Sequence, residues 1–583
     1  MEKLFALCYI TDHEVFLSEI SKKDEKAYLY LDTETIGLFG EIRLVQLYQS
    51  HWKDESGLPR PLLVDARHVP LPLIYREIKD MHIVGHNVIY DVTCFDMQIG
   101  PIKHWECTQM MIRLVNPELP TFKLDDVILA VVGRNVYRDL GITKTEEQKG
   151  NWKKELTDSQ LTYAALDVVF LPDVLRHCLS RKANEQYSYK LDKATCEYML
   201  KFQKTGLPVS QAKLDEIQNK LEEEIKEIRA QLPAGFNPRS YRQVRALLGI
   251  APDGESDDIV LAGLEAEGSV EAGLIRKIKK KLKLISFIDK FRTEDSRIYG
   301  RFGVGAKSGR STCKDQNLQQ IPGALKSAIE SEKFLVYADF SNLELRTFAA
   351  MVGEQEMIHK FKLDEDLHSF AASKIFEGLR GDPKIQALSD KEKRQIAKIF
   401  NFSSLYGAGV QTRLEILLKN TGIKLEFEQG ASIAEAWLNI FPGVREWQQE
   451  NIKKWRKGET GYTALKRPYR ADRPTDFNNI QIQGSGAEVA KLAIHYCADK
   501  GLDLSKLCVF IHDSYTFECD TLEEAKHYAE VLAHSMQEAW KAVGSGGEKG
   551  FLIRDLPMPV DAVVAHNWYD CQEDKNILYK FSC

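Results

Sequence analysis

Two apolar runs lie far apart in the chain and each hands off to an aspartate. Residues 334–338 read as a buried strand delivering Asp339, followed by Phe340-Ser341-Asn342-Leu343-Glu344-Leu345-Arg346. Residues 508–511 read as a second apolar strand that reaches His512-Asp513-Ser514 before 515–518 resumes the pattern, which predicts a β-hairpin with an acid at its tip. Two aspartates arriving from separate strand ends suit a pair of divalent cations, which take hard oxygen ligands and offset clustered negative charge. Between them Arg394, Lys398, Phe402 and Tyr406 recur at four-residue spacing, so they share one slowly drifting stripe of a helix. Cations at one end would meet a triphosphate, and aromatics at the other a sugar and base. An amphipathic helix with a wet basic end and aromatics in the core would explain the stripe alone. The conjunction with the two acids is what constrains the chain.

A second set of acids precedes this one. Asp32-Thr33-Glu34 closes an apolar strand over 28–31, and alternation puts both carboxylates on one face. Further strands are expected over 44–48 and over 81–84, ending at Gly85, after which Asn87-Val88-Ile89-Tyr90-Asp91 follows. A helix is expected over 159–180, where Tyr163 and Asp167 share a face. Several carboxylates converging on two metal ions suit phosphodiester cleavage: one ion makes hydroxide from water and the other stabilises the leaving oxygen. Singly, each of these pieces is an ordinary turn, cap or surface feature.

The 583 residues are too many for one core and predict several packed domains. With 44% hydrophobic and 28% charged residues the chain is globular, neither fibrous nor disordered. A net charge of -6 does not advertise nucleic acid, yet a basic cleft can sit in an acidic body. The 11 cysteines form no zinc-spaced cluster. A reduced compartment follows: the cytoplasm of a bacterial or virus-infected cell, or an organelle matrix, not the secreted space. Residues 3–10 read as a first strand, without a signal-peptide cleavage site, and no apolar run has the length of a membrane span. Near residue 186 the texture turns to charged amphipathic helices over 213–232 and 274–291. The second carries Arg276, Lys277, Lys279, Lys280, Lys281 and Lys283, read either as a solvated face or as a grip on phosphates.

Taken in order, the first three acidic motifs resemble the DEDDy 3′→5′ exonuclease family over residues 25–180. That resemblance implies Asp32, Glu34, Asp91 and Asp167 as metal ligands and Tyr163 as the residue orienting the attacking water. Residues 186–583 resemble the polymerase region of family A DNA polymerases: Asp339 to Arg346 matches motif A, Arg394 to Gly407 motif B and His512-Asp513 motif C. Ser308-Gly309-Arg310-Ser311, Asn317-Leu318-Gln319-Gln320-Ile321-Pro322, Asp366-Leu367-His368, 479–484 and 560–568 agree with it. The resemblance implies two Mg²⁺ ions per active site, with Mn²⁺ as a substitute, held at the polymerase site by Asp339 and Asp513. It implies His368, Arg394 and Lys398 on the phosphates, with Lys398 also placed to protonate pyrophosphate. Glu344 would exclude a ribose 2′-hydroxyl, and Phe402 and Tyr406 would pack on the sugar and templating pair. Arg310, Asn317, Gln319, Asn479, Gln483 and His512 would touch DNA. Minor-groove contacts of this kind check geometry, because their acceptors look alike in every correct pair.

Three positions depart from the family's usual pattern: Ser514 stands where Glu is common, Ser403 where Gly is, and Asn342 where Gln is. No 5′-nuclease domain is expected ahead of the exonuclease, and the compact build looks closest to viral, Aquificales-like or plastid-type members. The expected fold is α/β and α+β multidomain: an RNase H-like exonuclease domain over 1–185, then a right-hand polymerase over 186–583. Its thumb falls at about 186–325, its palm at about 326–353 and 471–583, and its fingers at about 354–470. Expected partners are primed template DNA and dNTPs, with the protein a monomer, replisome proteins as possible company, and no membrane. Rival readings are a single-subunit RNA polymerase, disfavoured by Glu344 and the linked exonuclease; a repair or processing exonuclease whose C-terminal half merely holds nucleic acid; and a non-catalytic DNA-binding protein, disfavoured because every acid is present.

Overall fold

A computed structural model describes residues 4–143, 146–147, 150–379, 381–545 and 556–583. The chain separates into two compact units, Met1–Leu200 with Lys466–Arg470, and Lys201–Leu465 with Ala471–Cys583.

The first unit is built on a six-stranded mixed sheet. In chain order its strands are β1 (Cys8–Ile10), β2 (Leu29–Ile36), β3 (Glu41–Tyr48), β4 (Leu62–Asp65), β5 (Ile83–Gly85) and β6 (Trp105–Cys107). Their spatial order is β1-β4-β3-β2-β5-β6. β3 pairs antiparallel with both β2 and β4, while β5 lies parallel to β2 and β6. Ile42, Leu44, Val45 and Leu47 of β3 are all buried, as expected of a strand covered on both faces. The acids of Asp32-Thr33-Glu34 lie inside β2, not beyond its end, with Asp32 opposite Gln46 and Glu34 opposite Leu44. The physical reason is that the ladder is made by backbone groups, which go on pairing where the apolar alternation stops. Register slips just after Glu34, a bulge that lets the strand bend there.

The N-terminal strand is shorter than 3–10, and its first residues lie outside the described ones. The stretch 159–180 is two helices, Asp158–Val169 and Leu171–Ser180, broken at Phe170 with Pro172 in the first turn of the second. Thr157 and Gln160 form a capping box at the start of the first.

The second unit holds a five-stranded antiparallel sheet of β7 (Glu330–Phe340), β8 (Leu507–Ile511), β9 (Ser514–Cys519), β10 (Val560–Asn567) and β11 (Tyr579–Ser582), in the order β8-β9-β7-β10-β11. On the central strand Val336 and Ala338 are fully buried, whereas Tyr337 and Asp339 between them are not. Alternation therefore gives β7 one core face and one reactive face. The helix Leu522–Ser545 packs across β7, β9, β10 and β11.

Helices Gln211–Ala230 and Val270–Phe291 share a small core of their own around Val244, Leu261, Ile275 and Ile278. The basic run on the second helix is only partly free. Arg276 is buried, pairs with Asp258 and Glu265, and donates to the Lys419 carbonyl, while Lys281 pairs with Glu224. Lys277, Lys280 and Lys283 are exposed. Arg276 and Lys281 thus tie helices together, a long stem packing on a neighbouring element while the cation meets its carboxylates.

All 11 cysteines are free thiols. Among the described residues no helix is long and apolar enough to cross a membrane.

Candidate active sites

In the first unit Asp32, Glu34 and Asp167 each present a carboxylate oxygen, and these oxygens lie within 4.8 Å of one another. The cavity around them has a volume of about 630 Å³ and is lined also by Asp91, Trp152 and Tyr163. Asp91, in the first turn of the Ile89–Gln98 helix, is buried and accepts a hydrogen bond from the Thr33 hydroxyl at 2.6 Å. Burial pushes its carboxyl up; the Thr33 hydrogen bond opposes this, and the nearby Asp167 adds to it. Asp167 accepts from the buried Tyr137 hydroxyl at 2.5 Å. Burial, and then the charge of Asp167, pushes both Tyr137 and Tyr163 well above the usual phenol range. Both are therefore neutral phenols at ordinary pH. The oxygen-only donor set, with excess negative charge, fits a hard divalent cation.

In the second unit Asp339 faces Ser514 directly across β7 and β9, and Asp513 occupies the two-residue turn with His512, whose φ is 55°. Asp339 is exposed by surface area, yet protein rings it closely enough that lost hydration is the largest influence on its carboxyl. Burial first and then the charge of Asp513 push it up, while Lys326 pulls the other way. Asp513 is raised by burial and by Glu344, and Arg310 opposes this. Glu344 itself forms an ion pair with Arg310. Two neighbouring carboxylates that repel one another, one on the sheet and one in its hairpin turn, again fit hard cations.

The Asp390–Leu405 helix carries the stripe. Its core face is Ile396, Ala397, Phe400, Asn401 and Ser404, all buried; Arg394 and Lys398 are exposed and Phe402 and Tyr406 half-buried. The stripe is thus not the core face of an amphipathic helix. The Arg394 Nε donates to Asp366 at 2.7 Å and to the Ser369 hydroxyl at 3.2 Å. Burial works to raise Asp366, but those partners and the His368 amide outweigh it and hold the carboxyl at about 2. His368 is buried, and burial lowers it to about 4. Its Nδ1 accepts from the Asn401 amide at 2.7 Å, and Asn401 accepts in turn from the Trp437 indole at 2.6 Å. The proton of this neutral imidazole therefore sits on Nε2, making His368 a hydrogen-bond donor where a cation was expected.

The expected DNA contacts are of mixed character. Asn317 caps its own turn through the Gln319 amide at 3.1 Å, and Gln319 donates to the Ser311 hydroxyl at 2.9 Å. Asn479 and Gln483 sit one turn apart on the Pro474–Asp499 helix, each half-buried, and His512 is exposed. Sequence reasoning passed over Thr33, Tyr137, Tyr337, Lys326, Asn401 and Trp437. Period-two alternation from Asp339 points to Tyr337; nothing local points to the others.

A family model described as DNA polymerase family A matches residues 207–570, and one described as 3′-5′ exonuclease matches residues 8–183. DNA polymerase I of Aquifex aeolicus (strain VF5) is 27% identical, covering 96% of this chain and 99% of that protein. The thermostable DNA polymerase I of Thermus filiformis is 26% identical over 58% of this chain, and the match takes in only 42% of its own length. The POL domain of Pol1 from M. smegmatis, solved with DNA primer-template and dNTP, shares the fold with a TM-score of 0.71 at 18% identity, covering 97% of this chain and 100% of that one. The chain belongs to DNA polymerase family A and joins DNA synthesis to proofreading by a 3′-5′ exonuclease domain.

Proposed function

We propose that Asp339 and Asp513 hold two Mg²⁺ ions for nucleotide addition, and that Asp32, Glu34, Asp91 and Asp167 hold a second pair for terminal hydrolysis, with Mn²⁺ able to replace either. The observation that carries this reading is the register of β7 on β9, which pairs Asp339 with Ser514 and so brings the turn bearing Asp513 beside it, close enough for the two charges to oppose one another. When bound, such ions supply Lewis acidity, lowering the pKa of the attacking hydroxyl or water and steadying the leaving oxygen.

The chain's own residues do the rest. Arg394 exchanges its Asp366 contact for an incoming triphosphate, Lys398 adds a second cation placed to protonate pyrophosphate, and His368 donates its Nε2 proton to a phosphate oxygen. Phe402 and Tyr406 pack on the sugar and the nascent pair; the Tyr406 hydroxyl is buried with no hydrogen-bond partner among the described residues, as a packing ring would be. Glu344, held by Arg310, closes the space a 2′-hydroxyl would need. Arg310, Asn317, Gln319, Asn479, Gln483 and His512 line the path of the duplex. In the exonuclease the neutral Tyr163 phenol orients the attacking water and does not act as a base.

Within the polymerase we assign the thumb to about 186–325, the palm to about 326–353 and 471–583, and the fingers to about 354–470, with the exonuclease over 1–185. The substrates are primed template DNA and dNTPs, and the protein works as a monomer that replisome proteins can join. Free thiols throughout suit a reduced compartment, the cytoplasm or an organelle matrix. Incubation with a primed template and Mg²⁺ tests the whole reading: the primer lengthens with dNTPs and shortens without them. Unchanged primer in both arms refutes it.

A further inference from the structure

Ser514 leaves this polymerase site one carboxylate poorer than the family pattern, and the same sheet face carries an unassigned side chain beside it. Tyr337 precedes Asp339 by two positions on β7, so both project from one face, opposite Thr516 and Ser514 respectively. The Tyr337 hydroxyl donates to Asp339 Oδ2 at 3.4 Å, and the side chains of Ser514 and Gln572 lie beside the same phenol. The Gln572 carbonyl accepts from Lys326 Nζ at 2.6 Å, and that ammonium lies over the Trp568 ring, 5.4 Å from its centroid. Lys326 thus donates to Gln572 and Tyr337 donates to Asp339, so polar groups from β7 and from the chain around residues 568–572 gather behind the acid.

We propose that Tyr337 is a positioning residue for Asp339, holding one lone pair of Oδ2 so that the carboxylate turns its remaining oxygen capacity toward the side shared with Asp513, and that the Tyr337–Ser514–Gln572 group takes the space of the missing carboxylate with neutral polar side chains. The inference rests on the reading of Asp339 as a metal ligand. It deepens that reading by saying how a site with one charge fewer keeps its ligand oriented: by a hydrogen bond behind the ligand. Partners of this kind, one bond removed from the ion, typically govern metal affinity by about 10–100-fold. Orientation is what Tyr337 supplies; it neither touches the reacting atoms nor moves a proton in the reaction.

Tyr337→Phe removes the hydroxyl and leaves the ring. Two quantities are measured: the Mg²⁺ concentration giving half-maximal primer extension, and Mn²⁺ binding followed by electron paramagnetic resonance. The binding measurement uses an Asp32→Ala/Glu34→Ala background, which removes the competing exonuclease metal site. The expected result is a rise of about tenfold in both constants, with extension at saturating Mg²⁺ within about twofold of the parent. Gln572→Leu, which removes the polar neighbour of the phenol, gives a smaller shift in the same direction and stands in if Tyr337→Phe does not fold. Unchanged metal constants in both variants overturn the proposal, as does a loss of extension that saturating metal fails to restore. Asp339→Asn separates the two levels: if it abolishes Mn²⁺ binding while Tyr337→Phe does nothing, the positioning role alone fails. If Asp339→Asn binds Mn²⁺ like the parent, the reading of the site itself fails.

Discussion

Asp339 and Asp513, the acids proposed to hold metal, illustrate what a pair of close carboxylates costs the protein that carries it. Each is raised by burial and by a like charge close at hand. With no cation bound, both carboxylates therefore destabilise the fold wherever they are ionised. The sign is fixed by linkage: a folded pKa above the unfolded value means that stability falls as pH rises between the two. Asp339→Asn should accordingly raise the melting temperature measured in EDTA at pH 8, by roughly 2 °C once solvent screening at this accessible group is allowed for, while abolishing extension. His368 works in the opposite direction. Its folded pKa is depressed from 6.5 to about 4, so its contribution is whole above 6.5 and is lost as pH falls toward 4. Urea denaturation across that window should show His368→Gln losing less stability than the parent, by on the order of 3 kcal/mol at the acid end. Equal slopes would mean that the imidazole is protonated in the folded state. In the exonuclease, Tyr137→Phe strips Asp167 of its buried donor. Degradation of single-stranded DNA should fall by about tenfold with extension unchanged.

Helices and strands set these groups against one another through contacts that local patterning does not announce. Three helices meet behind His368: its own, Leu367–Glu377; Asp390–Leu405, bearing Asn401; and Phe427–Ile440, bearing Trp437. The relay from indole to amide to imidazole fixes the tautomer, so the Nε2 proton of His368 depends on a tryptophan from another helix. Trp437→Phe leaves the Asn401 carbonyl buried without its donor, at a cost of about 1–3 kcal/mol. The expected kinetic result is a several-fold higher KM for dNTP with kcat little altered, read from single-nucleotide incorporation. A fall in kcat alone would place the effect elsewhere. The strands were the easier elements to read. Apolar runs at 334–338, 508–511 and 28–31 located β7, β8 and β2; the end of β8 matches, but β7 and β2 run on past the expected ends, because alternation is written in side chains and the ladder in backbone. The helix expected over 159–180 broke at Phe170 for a reason present in the residues, Pro172. The basic run on Val270–Phe291 gives up two of its six cations, Arg276 and Lys281, to partners, Asp258, Glu265 and Glu224, that only packing brings near.

At the scale of the molecule the two chemistries occupy separate compact units. Asp339→Ala or Asp513→Ala should abolish extension and spare degradation of single strands, and Asp32→Ala with Glu34→Ala should do the reverse. A primer-extension gel in which either phenotype crossed over would falsify the division of labour. A mispaired terminus melts more readily than a paired one, so transfer of the frayed end from one unit to the other itself favours removal of errors. What the amino-acid sequence determined by itself was the identity and order of the reactive groups: acids following apolar strand runs, a cationic and aromatic stripe with helical period, and two motif sets that name two activities. Those are local, carried by periodicity and residue chemistry over a few positions. Tertiary structure alone decided which charges stay free, which histidine tautomer is present, and which phenol stands behind which carboxylate. Tyr137 with Asp167, Trp437 with Asn401 and Lys326 with Gln572 are long-range pairs, and strand register and helix packing bring them together. No spacing within a segment encodes such a meeting, because burial and hydrogen-bond partnership belong to the packed chain.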